Sequence, residues 1–278
     1  RSGDGQPTEA AASYAAFLRR IPGQISDPDR FAAELDAGTQ AARTAKAYGP
    51  GGLGAPATDG GDDGAAANHL VEVQQQQIRA AALRGCLPDS RVDALRGWDS
   101  LDADQHPDEL RAWMLNPAMR TLILAGTTGS GKTQAAYVCA AVAARDGAAM
   151  TDRRGRVAVR PLLVRAWTVN NYVAELRPDG SPDPVWQIRD RARLAELLIL
   201  DDLGAELDTA ATEHVRREIS DLLDWRLERR LRTIFTTNFR GHIVRERLGP
   251  RLFSRLHENA LALKFVGPDR RTMTALDW

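Results

Sequence analysis

From residue 121 onward the chain alternates short apolar runs with longer stretches whose apolar residues recur every three or four positions. The runs are TLILAG (Thr121–Gly126), RPLLVRAWTV (Arg160–Val169), ELLILDD (Glu196–Asp202), RTIFTTN (Arg232–Asn238) and ALALKFVG (Ala260–Gly267). Their length and mostly apolar content predict strands covered on both faces. The stretches between them predict helices over Lys132–Gly147, Asn170–Leu176 and Thr212–Arg230. In the last of these, Val215, Ile219, Leu222, Leu223 and Trp225 fall at helical spacing. Strands alternating with helices predict an α/β fold: a parallel five-stranded sheet flanked by helices.

The residues before this region are patterned differently. Ala10–Ile21 and Asp27–Tyr48 predict two short helices, the second capped by Asp27 with Pro28 at its first position. Residues 49–67, GPGGLGAPATDGGDDGAAA, hold almost no large apolar side chain, too little to offset the entropy of ordering them. This predicts a helical N-terminal arm (1–48), a flexible linker (49–67) and a main domain (68–278). Tyr14, Phe17, Leu18, Ile21, Phe31 and Leu35 are too few for a core within the arm and suit a docking surface for a protein partner.

Composition narrows the class. The 278 residues are 43% hydrophobic, with 37 acidic and 37 basic side chains, so no net charge marks the whole chain as a polyanion binder. No apolar run approaches the roughly eighteen residues of a membrane span, and the N-terminus lacks an apolar signal segment. Cys86 and Cys139 stand alone, without partners at metal-ligand spacing, and read as reduced thiols. These features predict a cytoplasmic protein with no membrane partner. The opening Arg1 in place of Met implies a tag or trimming.

Of the 37 basic side chains only three are lysines, and one of them lies in GTTGSGKT. Gly126, Thr127, Thr128, Gly129, Ser130, Gly131, Lys132 and Thr133 fit G-x-x-x-x-G-K-[ST] at every fixed position, between a predicted strand and a predicted helix. In such a loop the glycines turn backbone N–H groups inward around phosphates, and the helix N-terminus adds its positive end. Lys132 supplies a compact charge to the β- and γ-phosphates, a shape that arginine's planar fork does not match, and Thr133 offers a hydroxyl to Mg²⁺. The chemistry expected is ATP binding. LLILDD adds Asp201 at a strand end, suited to Mg²⁺, and Asp202 beside it, suited to polarising an attacking water. Asn238 ends the RTIFTTN strand, where a polar side chain can orient that water or serve as a turn residue. PRLFSRLHENA places Arg251 and Arg255 on one helical face, either as an arginine finger for a neighbouring subunit or as a solvated basic face.

In this order the P-loop, LLILDDLGAE, TTN, RLFSRL and KFVGPDRR resemble the AAA+ ATPases of the DnaC/IstB group, which are helicase loaders and transposition helpers. The resemblance spans about residues 83–278, with LRGCLPDSRVDALRGWDSLDAD (Leu83–Asp104) similar to the segment that precedes the P-loop in that group. It implies an ATPase with ATP and Mg²⁺ as cofactors, hydrolysing slowly and stimulated by DNA or a partner. Its implied role is DNA replication, in contact with the replicative helicase through the arm, with single-stranded DNA, and with other copies through the ATP site. It assigns Lys132 and Thr133 to phosphate and Mg²⁺, Asp201 to Mg²⁺, Asp202 as base and Asn238 as sensor. Arg255 becomes the preferred finger, with Arg251 beside it. The group more often has glutamate where Asp202 stands, and Glu206 matches its GAE segment without a physical role. Eleven residues after Gly267 are fewer than a helical lid needs, so no C-terminal lid domain is expected. An IstB-like transposition helper and a nucleotide-gated adaptor with negligible hydrolysis remain alternatives. Unlike some loaders, the arm has no zinc-binding cysteine cluster.

Arg177, Arg189, Arg191 and Arg193 surround Trp186 between the second and third predicted strands. Arginines on phosphates beside a stacking aromatic suit single-stranded DNA. With Asp190 and Glu196 interleaved, the same pattern also describes a salt-bridged helix with a core tryptophan.

Overall fold

The computed structural model describes residues 63–152, 154–177, 179–204, 212–267, 269 and 270. The expected arm and residues 49–62 of the expected linker lie outside these. Residues 63–67, also expected as linker, instead open helix α1 (Asp63–Cys86). Ala65, Ala66 and Ala67 are strong helix formers and outweigh the neighbouring glycine and aspartate.

Two 3₁₀ stretches (Asp89–Ser100 and Ala103–Gln105) and α2 (Pro107–Leu115) lead into strand β1 (Thr121–Gly126). Helix α3 (Lys132–Arg145) follows, then an antiparallel hairpin of β2 (Ala148–Thr151) and β3 (Val157–Arg160). The order continues with β4 (Val164–Thr168), α4 (Val169–Glu175), α5 (Val185–Leu194) and β5 (Leu197–Asp201). It closes with α6 (Thr212–Glu228), β6 (Arg232–Thr237), α7 (Gly241–Leu248), α8 (Pro250–His257) and β7 (Ala260–Phe265). The five expected strands form one parallel sheet in the order β4-β5-β6-β1-β7.

Side-chain alternation divides the core into two layers. Leu122, Leu124, Leu197, Ile199 and Ile234 pack on one side of the sheet with α3 and with Leu110 and Trp113 of α2. Ile123, Leu198, Leu200 and Phe235 pack on the other with α4, α5, α6 and α8. A slip of one residue in any of these strands would exchange the two sets, so burial fixes the register. Burying each leucine or isoleucine contributes roughly 2 kcal/mol.

Two buried arginines tie the layers to the sheet. Arg226 of α6, 1% exposed, donates to the carbonyls of Ala192, Ala195 and Arg232 and to Thr233 Oγ1 at 2.5–2.9 Å. Burial pulls its pKa down to about 9, so it remains charged at neutral pH. Arg232 donates to the carbonyls of Trp113, Asn116 and Ala149 and lies 4.7 Å from the centroid of the Trp113 ring.

Candidate functional site

In a parallel sheet the carboxyl ends of the strands share one edge, where ligands of α/β proteins sit. Here that edge carries the P-loop after β1, Asp201 and Asp202 at the end of β5, and Asn238 just beyond β6. Since β6 lies between β5 and β1, all three are neighbours.

The motif glycines answer to different constraints. A Cβ on Gly126 would come 2.2 Å from the Phe265 carbonyl oxygen, because β7 runs alongside. Gly129 and Gly131 have φ of 79° and 93°, a region that side-chain-bearing residues seldom adopt. Gly131 caps α3 without a side-chain acceptor, which leaves the first helical N–H groups for an anion. Lys132 is 5% exposed, and its ammonium donates to the Thr127 carbonyl at 2.6 Å, folded across the loop. Ser130 Oγ donates to the same carbonyl at 2.7 Å.

Asp201 accepts at one carboxylate oxygen from Thr133 Oγ1 at 2.9 Å and from Thr236 Oγ1 at 2.5 Å. Asp202, with φ of 62°, donates its amide N–H to Thr236 Oγ1 at 2.8 Å. Asn238 Nδ2 donates to Asp202 Oδ1, also at 2.8 Å. Thr236 is therefore the hinge of the acidic pair, and sequence reasoning missed it although TTN contains it. Gln105 was missed as well. It is 3% exposed, accepts from the Asp102 amide N–H at 3.0 Å and donates to the Gly131 carbonyl at 3.3 Å, bracing the P-loop from outside. It directly follows the lead-in stretch Leu83–Asp104, and no motif marks it.

These groups open onto a cleft of about 720 Å³, lined also by Ser90, Arg91, Arg96, Asp99 and Arg270. Thr133, Asp201 and the surrounding oxygens are hard donors of the kind Mg²⁺ prefers. Among the described residues no three His, Cys, Asp or Glu side chains are grouped to hold a metal alone.

Other expected residues lie elsewhere. Arg251 and Arg255 are on α8 and do not line the cleft. Arg255 pairs with Asp224 at 2.9 Å and Glu258 at 3.1 Å, and Arg251 lies 3.7 Å from Asp224. Around α5, Arg189 pairs with Glu218 at 2.6 Å, Arg191 with Asp183 at 2.5 Å, and Arg193 lies 6.0 Å from the Trp225 ring centroid. Arg177 is exposed after α4. Trp186 is 65% exposed, so the expectation of a core tryptophan does not hold: Ile188 and Ala192 take the buried face of α5. Glu196 pairs with Arg160 rather than with these arginines. Glu206 lies outside the described residues. Both cysteines are free, and burial pushes the Cys86 thiol up to about 11 and the Cys139 thiol up to about 12. No helix among the described residues is long and apolar enough to cross a membrane.

No protein-family model matches the sequence, and no curated protein matches it. Solved structures do. A crystal structure of the DnaC helicase loader is 18% identical, covering 64% of this chain and 100% of its own, with a TM-score of 0.50. The replication initiator DnaA bound to AMPPCP and single-stranded DNA is 13% identical, covering 66% of this chain and 52% of its own, also at 0.50. DnaI is 20% identical over 71% of this chain and 100% of its own, at 0.48. The described chain is therefore similar in fold to the DnaC loader and the DnaA initiator, an α/β fold built on a five-stranded parallel sheet.

Proposed function

We propose that this protein is an ATP-dependent helicase loader of the DnaC kind, acting in DNA replication in the cytoplasm. The observation that carries the nucleotide reading is the convergence of Lys132, Thr133, Asp201, Asp202 and Asn238 on one cleft at the carboxyl edge of the sheet. Lys132 and the P-loop amides bind the β- and γ-phosphates. Thr133 and Asp201 would hold Mg²⁺, whose charge neutralises the phosphate oxygens when bound. Asp202 accepts the proton of the attacking water, and Asn238, tied to the same carboxylate, orients that water. Hydrolysis is slow and is stimulated by DNA or the partner. The fold shared with the DnaC loader, and an arm whose sequence holds too few large apolar residues for a core of its own, support a replicative helicase as partner, held by residues 1–48. Single-stranded DNA is the second ligand.

Two variants and the replicative helicase of the same host test this reading. Lys132→Ala should fold normally and lose a fluorescent ATP analogue. A truncation beginning at Asp63, which keeps α1 whole, should bind the analogue normally and no longer co-purify with the helicase. Unchanged nucleotide affinity in Lys132→Ala would refute the P-loop assignment. Full helicase binding by the truncation would remove the arm as the loader's handle and turn the reading toward a transposition helper.

A further inference from the structure

After β7 the chain turns back over the P-loop. The Arg270 amide N–H donates to the Gly129 carbonyl at 3.0 Å. Its guanidinium pairs with Asp104 at 2.5 and 2.6 Å, and with Asp102. Asp269 is pressed against the same loop: a Cβ on Gly129 would come 1.8 Å from its carboxylate oxygen. Asp102 caps the turn whose Gln105 braces Gly131, and Asp104 lies within it. Three segments distant in sequence are thus joined in a ring: P-loop to lead-in through Gln105, lead-in to C-terminal strap through Arg270, and strap to P-loop through the Arg270 backbone.

We propose that Arg270 determines nucleotide affinity, as a latch that closes this ring over the cleft and retains bound nucleotide. The inference rests on the nucleotide reading of the cleft. Charge favours retention over obstruction. The cleft is lined by four cations, Arg91, Arg96, Lys132 and Arg270, against five carboxylates, Asp93, Asp99, Asp102, Asp201 and Asp202. Without Arg270 the balance is three to five, and Asp102 and Asp104 are left to repel a polyphosphate. With Asp102 and Asp104 side chains 69% and 44% exposed, the latch is a surface network of modest strength that salt weakens.

Stopped-flow release of a fluorescent ADP analogue tests it, with circular dichroism to confirm folding. Arg270→Ala and Arg270→Asp should release the analogue roughly three- to tenfold faster than wild type. That gap should narrow as salt rises. Combining Arg270→Asp with Asp104→Arg should bring release back toward wild type, which a purely steric role would not do. Asp104→Asn, at a half-exposed position, supplies a readout if the Arg270 variants fold poorly and should also speed release. Equal release from wild type and the single variants would overturn the latch alone. Slower release, or tighter binding, in Arg270→Ala would overturn it in favour of a strap that obstructs the site. A wild-type protein that binds no nucleotide would overturn the nucleotide reading and the latch together.

Discussion

Asp202 stands in the left-handed region of backbone space, where a residue with a side chain is uncommon and must be held by its surroundings. What holds it is the bond from its amide to Thr236, and what aims its carboxylate is Asn238. Asp202→Asn preserves shape and removes the carboxylate that we propose as the proton acceptor. We expect nucleotide affinity to stay near wild type and phosphate release to fall by about a hundredfold or more, the usual range for a general base. Wild-type turnover in that variant would place the base elsewhere, with Glu206 next to test. The convergence of Lys132, Thr133 and Asp201 is legible in the sequence because they stand in short motifs at strand ends. Thr236 and Gln105 are not. A threonine in a strand is ordinary, and its place beside Asp201 comes from the pairing of β5 with β6, which no local pattern states. Gln105 matters only because a helix start 26 residues later comes within its reach.

Among the elements, α5 and α6 meet through Arg226 rather than through apolar contacts alone. Arg226→Ala would leave the buried carbonyls of Ala192, Ala195 and Arg232 without their donor. Each such loss costs about 1–3 kcal/mol, so we expect a destabilisation of about 3 kcal/mol or more. In a thermal melt that is a fall of roughly 6 °C or more, and a shift under 2 °C would show that water or a neighbour replaces the guanidinium. From sequence Arg226 is one more basic residue on an amphipathic helix. Only the fold reveals that it faces inward. The β2–β3 hairpin was also not expected, although its signals are present. Val157 and Val159 alternate with Ala158 and Arg160, and Gly155 takes a φ of 80° in a turn where the Asp152 carboxylate accepts from the Arg154 and Arg156 amides. The four-residue strands are shorter than the buried runs around them and only partly buried, so the stronger pattern hid them.

At the scale of the whole molecule, Arg255 lies off its own cleft, already paired with Asp224 and Glu258. If it serves as a finger it therefore serves another copy, and such a residue can be worth on the order of 10³ or more in rate. Mixing Arg255→Ala protein with Lys132→Ala protein, each inactive alone, should restore part of the ATPase activity. No recovery across mixing ratios, with assembly confirmed, would confine Arg255 to a structural role. The five strands of the sheet were legible along the chain, but their order was not, because parallel neighbours come from distant segments. That arrangement has a consequence for synthesis. The interior strand β1 ends at Gly126, while its neighbours β6 and β7 begin at Arg232 and Ala260. A nascent chain emerging from the ribosome thus carries the P-loop more than a hundred residues before either flanking strand exists. Until β6 and β7 appear, TLILAG is an unpaired apolar segment that a chaperone can hold, and the cleft at the sheet's carboxyl edge is among the last features the protein acquires.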